Sequence, residues 1–192
     1  AHAGVAPEKG ASAITMASLA IADLHSRGWL GRVVQDDGVG TANVGVIHGG
    51  EATNVVTPEI ELKAEARSHD RDMRVRIVAE IRAAFERAVA AVKTDEGVAG
   101  TLSFESHVDY EAFRLPSDHP SLLAADEALR AVGLSPLINV TDGGLDANWL
   151  FSHGIEAVTL GCGQRNIHTA DERLDIADYL AACRIATALI SG

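Results

Sequence analysis

The apolar pattern of this sequence predicts a mixed chain: a two-layer α+β unit over residues 1–112, then part of an α/β domain over residues 113–192. Three observations carry that division. Two long segments alternate apolar and polar residues, which marks strands with one solvated face. Two apolar stripes at helical spacing mark amphipathic helices that can cover the other face. Beyond Leu115-Pro116-Ser117-Asp118 the candidate strands become short, uninterrupted apolar runs between helices. Such runs belong to parallel or mixed sheets covered on both faces.

The first helix is expected over residues 12–27, with Ile14, Ala17, Ile21 and Leu24 on one stripe and Gly28 and Gly31 ending it. A strand follows at 41–48 and turns at Gly49-Gly50. Residues 59–67 give the clearest strand. Ile60, Leu62, Ala64 and Ala66 face one way, and Glu59, Glu61, Lys63, Glu65 and Arg67 face the other. The second helix, over 71–93, turns Ile77, Val78, Ile81, Phe85, Ala88, Val89 and Val92 inward. Residues 101–111 alternate again, with Leu102, Phe104, Ser106, Val108 and Tyr110 on one face. Helix, strand, strand, helix, strand is the order of a ferredoxin-like split βαβ unit whose first strand is missing. That strand is expected just before Ala1, and a chain that opens without Met points the same way. A sheet lacking it has an exposed edge.

In the second block Asp118 is placed to cap a helix with Pro120 in its first turn, running to about residue 132. A strand at 137–140, a helix at 145–153, a strand at 157–160 and a helix at 176–190 follow. Two short strands are too few to close a covered sheet. This block therefore reads as the C-terminal portion of a larger α/β domain.

Composition narrows the partners. Apolar residues make up 47% of the chain and aromatic ones only 4%, so the core must be built from Ala, Val, Ile and Leu. A net charge of -11 disfavours nucleic acid and anionic membrane surfaces. It suits a cation-binding enzyme, although mild acidity is also ordinary for soluble proteins. No apolar stretch reaches transmembrane length, and no signal peptide is visible. Cys162 and Cys183 lack ligand spacing and read as small core residues in a reducing, cytoplasmic compartment.

Candidate chemistry centres on Gly161-Cys162-Gly163-Gln164-Arg165-Asn166-Ile167-His168-Thr169-Ala170-Asp171-Glu172. A glycine-rich turn delivers an imidazole, with a carboxylate four residues on. Neutral imidazole is the commonest zinc ligand, and a neighbouring carboxylate can fix its tautomer. A catalytic zinc site needs about three protein ligands, so His168 implies partners elsewhere. No HExxH, CxxC or Glu-Glu pair is present. Other clusters have plain readings when taken singly. His2 is a loop histidine, and Asn54 can satisfy the backbone of a turn. Arg67 ends a strand where an ion pair with Glu65 or Asp70 is the default. Asp142 and Asp146 flank a Gly-Gly turn where helix capping explains one of them.

Taken in order, the clusters resemble a known family. His2-Ala3-Gly4-Val5-Ala6-Pro7-Glu8-Lys9-Gly10 comes first, then Thr41-Ala42-Asn43-Val44-Gly45 through Gly49-Gly50 to Asn54-Val55-Val56. Glu65-Ala66-Arg67-Ser68, Gly143-Gly144-Leu145-Asp146-Ala147-Asn148 and the 161–172 run follow. This series is similar to the M20 zinc-dependent metallopeptidases, most closely their peptidase T-like (tripeptidase-like) branch. The resemblance implies an α/β catalytic domain with two zinc ions per active site, and a four-stranded lid or dimerisation domain inserted into it. Residues 1–112 would then be the lid, and 113–192 the C-terminal part of the catalytic domain. By the same resemblance His168 is a metal ligand, and His2 is the lid histidine that stabilises a tetrahedral oxyanion. Asn54 and Arg67 hold the carboxylate end of a small peptide substrate, Arg67 by a bidentate fork. A homodimer through the lid is also implied. The family's other metal ligands and its general-base glutamate precede the lid, so this chain is expected not to bind both zinc ions and to be inactive alone. Aminoacylases and N-carbamoyl-amino-acid amidohydrolases share the site plan, and a non-catalytic dimerisation module is the reading from another class. Asp142 and Asp146 receive no role.

Overall fold

The computed structural model describes residues 1–191. The chain divides into two compact units, Ala1–Val108 and Asp109–Gly192. Mixed α/β architecture with a small antiparallel sheet is what the helix and strand signals predict.

In the first unit a 3-10 turn, Pro7–Lys9, leads to helix α1, Ala13–Ser26. The Ser12 hydroxyl accepts the Thr15 N–H at 3.2 Å and caps α1, supplying one of the acceptors that a helix N-terminus lacks. Gly28, at φ 73°, ends it. Strands β1 (Gly31–Gln35), β2 (Gly38–Gly49) and β3 (Ile60–Arg67) form an antiparallel sheet in that order. The register between β2 and β3 shifts between Val44 and Val46. Helix α2, Arg71–Ala91, starts where the Asp70 carboxylate accepts the N–H groups of Asp72 and Met73 at 2.8 and 3.1 Å. The core joins Ala20 and Leu24 of α1, Val33 and Ala42 of the sheet, and Met73, Ile77, Ile81, Ala84 and Ala88 of α2, with Trp29. Small alanines let the helices approach closely, and the few aliphatic side chains fill the space between layers.

Two details differ from the sequence expectation. Strand β1 is present where only a helix stop is expected: Gly31 is the first residue of a strand and not just a terminator. Residues 101–111, by contrast, make no ladder. Alternation there reports an extended chain with one side covered, and a helix can provide that cover. Phe104 packs against the core, with the Arg82 guanidinium of α2 4.5 Å from its ring centroid. The sheet therefore has three strands, with the β1–β2 hairpin in place of a C-terminal strand.

The second unit contains α3 (Pro120–Ala131), α4 (Asp146–Ser152), the two-residue strands β4 (Gln164–Arg165) and β5 (Arg173–Leu174), and α5 (Ile176–Ser191). α3 packs on α5, and Ala125, Ala128, Ala181 and Ile185 are buried. His119, not Asp118, caps α3: its Nδ1 accepts the Ser121 N–H at 3.2 Å, while Nε2 lies 2.6 Å from Glu156 Oε2. Neither Asp142 nor Asp146 caps α4. The Asn148 side chain reaches back to the Leu145 N–H at 3.0 Å, and Asp146 lies in the first turn, where the helix dipole favours a carboxylate.

The expected strands at 137–140 and 157–160 have no ladder partner among the described residues. Leu137 and Ile138 are 83% and 63% exposed. An apolar run becomes a central strand only when neighbours satisfy its backbone on both edges, and no described segment does so. Cys162 and Cys183 are exposed free thiols and not core residues, because the α5 positions turned inward are Ala181 and Ile185. No described helix is long and apolar enough to cross a membrane.

Candidate functional site

In the first unit, folding brings the N-terminal loop against the turn after β2. His2 forms an antiparallel bridge with Val55. The Ala3 N–H donates to Asn54 O at 2.8 Å, and the Val56 N–H to Ala1 O at 2.9 Å. Residues about fifty positions apart in sequence thus become neighbours. Gly10 makes the fit possible: a Cβ there would lie 2.8 Å from Val56 Cγ1 and 3.0 Å from Ala1 Cβ. His2 Nδ1 accepts the Gly4 N–H at 3.1 Å. A neutral ring that accepts at Nδ1 carries its proton on Nε2, so the other edge of His2 is a hydrogen-bond donor.

Arg67 ends β3, opposite Thr41 of β2. Its Nη2 donates to Glu65 Oε2 at 2.7 Å, the ion pair expected by default at that position. One face of the guanidinium fork is therefore already engaged by a carboxylate. A ligand carboxylate using that edge must displace Glu65.

In the second unit His168 lies in the turn between β4 and β5. Asn166 and His168 are the two non-glycine residues with left-handed backbone among those described, at φ 53° and 63°. Such conformations cost about 1–3 kcal/mol and persist where surrounding structure enforces them. The nearby carboxylate does not orient the ring as expected. Glu172 Oε2 accepts the His168 main-chain N–H at 2.9 Å. Spacing along the chain places Glu172 near His168; only folding decides that it meets backbone and not imidazole.

Among the described residues no group of three or more His, Cys, Asp or Glu side chains is placed to hold a metal ion. His107-Val108-Asp109, the one H-x-D triplet in the sequence, belongs to no such group. An imidazole on a fixed turn suits a single metal ligand, but the described residues gather no three-donor site around it. The His119–Glu156 pair has no counterpart among the sequence expectations. The adjacent Pro120, which favours the first turn of a helix, was the available signal for a cap at His119.

Comparison with known proteins bears on this arrangement. Residues 1–93 match the peptidase dimerisation domain of the M20 family. Over 99% of its length the chain is 37% identical to the uncharacterised protein YqjE of Bacillus subtilis, of which it covers 48%. Two solved structures also align over 99% of the chain. An aminopeptidase PepT from Bacillus cereus is 35% identical with a TM-score of 0.72, and 48% of it is covered. A tripeptidase from Staphylococcus aureus is 34% identical with a TM-score of 0.77, and 47% of it is covered. A Bacillus subtilis protein described as a dinuclear metal binding peptidase from the M20 family shares the fold at 19% identity and a TM-score of 0.56. The chain spans about half the length of these relatives.

Proposed function

On the premise that this chain carries the M20 peptidase dimerisation domain and is peptidase T-like along its length, we propose that it is part of a metallopeptidase that hydrolyses amide bonds of small peptides. The observation that carries this reading is the state of His2. Its Nδ1 is occupied by the Gly4 N–H, so Nε2–H is the donor it offers, beside the Asn54 turn. A preorganised donor is what a developing oxyanion requires, and removing one such donor costs about 10²–10³-fold in kcat.

The remaining roles follow the same plan. His168 supplies one metal ligand, and the other ligands and the general base come from sequence beyond these residues. Residues 1–112 act as lid and residues 113–192 as the C-terminal part of the catalytic domain. Zinc bound there supplies Lewis-acid polarisation and a water of lowered pKa. Asn54 and Arg67 hold the substrate's carboxylate end, with Glu65 exchanged for the substrate at the Arg67 fork. The relatives' doubled length and the unpaired apolar runs at 137–140 and 157–160 support a larger catalytic domain. The net charge of -11 and the exposed free thiols suit a cytoplasmic enzyme that contacts neither nucleic acid nor membrane.

We also infer a homodimer through the first unit. β1 covers β2 only as far as Ala42, whereas β3 pairs β2 from Thr41 to Gly49. Residues 43–49 therefore have an edge with no ladder partner among the described residues, and an open edge is a template for a second copy.

The test is kinetic and uses the full-length protein loaded with zinc. Hydrolysis of di- and tripeptides is expected. His2→Ala should retain metal and lose kcat by about 10²–10³-fold, while His168→Ala should lose metal. A zinc-loaded full-length protein that leaves peptides intact, or a His2→Ala variant with wild-type kinetics, overturns the reading.

A further inference from the structure

The turn bearing His168 is held at its base and at its tip by different devices. At the base, β4 and β5 pair Gln164 with Leu174 and Arg165 with Arg173, and the Asp175 N–H donates to Gly163 O at 2.8 Å. Arg165 forms an ion pair with Asp178 of α5. Gly163, at φ 87°, admits the close approach, since a Cβ there would lie 2.7 Å from Asp175 O. Toward the tip, Asn166 O accepts both the N–H and the hydroxyl of Thr169, at 3.1 and 2.7 Å. The Glu172 N–H donates to Thr169 O at 3.1 Å, so the backbone of Glu172 is itself anchored. From that anchor its carboxylate reaches the His168 N–H at 2.9 Å.

We propose that Glu172 is a positioning residue: its carboxylate clamps the His168 main chain in the left-handed conformation and so sets the direction of the imidazole, without binding metal itself. The proposal rests on the reading of His168 as a metal ligand. A main-chain N–H bonded to a carboxylate has a charge-assisted partner stronger than a neutral one. Losing that bond lets His168 relax toward negative φ, which turns the Cα–Cβ bond and swings the ring away from a fixed metal position. Glutamine keeps an acceptor oxygen at the same reach, and alanine has none. Three roles therefore separate. A clamp is lost in Glu172→Ala and rescued in Glu172→Gln. A metal ligand is lost in both. A solvated surface carboxylate is indifferent to either change.

The experiment uses full-length protein labelled with 15N-histidine, the His168 amide being assigned by its absence in His168→Gln. Two quantities are read: hydrogen exchange of that amide, and zinc affinity by competition with a chromophoric chelator. In Glu172→Ala the amide should exchange faster, and zinc affinity should fall by about 10–100-fold. Glu172→Gln should return both close to wild type. Unchanged amide protection in Glu172→Ala overturns the clamp. Equal loss of zinc in the Gln and Ala variants overturns positioning in favour of ligation. A fast amide with wild-type zinc affinity in Glu172→Ala disconnects the clamp from the metal and also overturns the proposal. If His168→Gln binds zinc as the wild type does, the ligand reading itself fails. The amide data distinguish that result from a failed clamp.

Discussion

Gly10 shows how closely the His2 loop is packed. A methyl group at this position meets Val56 at distances that no relaxed Cβ adopts and crowds Ala1 as well. Gly10→Ala is expected to cost about 1–3 kcal/mol, by the overpacking that displaces well-packed neighbours. Urea unfolding of the chain measures this, and an unchanged midpoint would mean the loop yields freely. Arg67 offers a second contrast. If it clamps a substrate carboxylate, Arg67→Lys replaces a planar fork with a point charge, raising KM and lowering kcat/KM in the full-length enzyme. Equal kinetics would leave it the surface pair with Glu65, worth only about 0–1 kcal/mol. At this scale the residue types His2, Asn54, Arg67 and His168 were legible as a series. The protonated edge of His2 and the backbone target of Glu172 were not, because a hydrogen bond to the main chain leaves no mark on the order of side chains.

Among the elements, α1 and α2 are tied by charge as well as by the core. The Asp23 carboxylate accepts from Arg87 Nη2 and lies 3.6 Å from Arg27 Nη1, and Arg27 in turn pairs with Glu80 at 3.0 Å. The Arg87 hydrogen bond, aided by the charges of Arg87 and Arg27, holds the Asp23 carboxyl below its ordinary value of 3.8. The stabilisation is thus present above that ordinary value and is lost as pH falls through the lower folded-state value. Asp23 is about one-third exposed, at 34%, so solvent screens the effect and keeps it modest. Asp23→Asn should flatten the acid limb of a plot of urea midpoint against pH while leaving the rest of its shape intact. An acid limb as steep as wild type's would assign that limb to other carboxylates. The open edge of β2 makes a separate prediction. Val46 and Ile47 are exposed, and Val46→Lys with Ile47→Lys places charge where a second strand must lie. Sedimentation should then report monomer with cooperative unfolding retained; a persistent dimer would move the interface elsewhere. Helix extents were readable from apolar stripes and from glycine and proline stops, since those signals are local, whereas the capping side chains of α3 and α4 were not. The segment 101–111 was not, because alternation records a covered side without saying whether sheet or helix covers it.

For the whole molecule, the lack of any three-donor metal group among the described residues sets the strongest expectation. The purified chain, free of full-length protein, should not hydrolyse di- or tripeptides even with added zinc. Zinc-dependent turnover by it would mean that these residues assemble a site unaided, contrary to the reading of a shared catalytic domain. Sequence alone determined the mixed α/β character, the helices and the family resemblance, because periodicity and glycine and proline stops act over a few residues and survive without tertiary context. Tertiary structure decided which extended segments become sheet, which carboxylate meets backbone, and that the N-terminal loop lies against the turn at Asn54. Those outcomes depend on pairing between segments distant in the chain, where each backbone N–H and C=O finds the partner that folding leaves within reach.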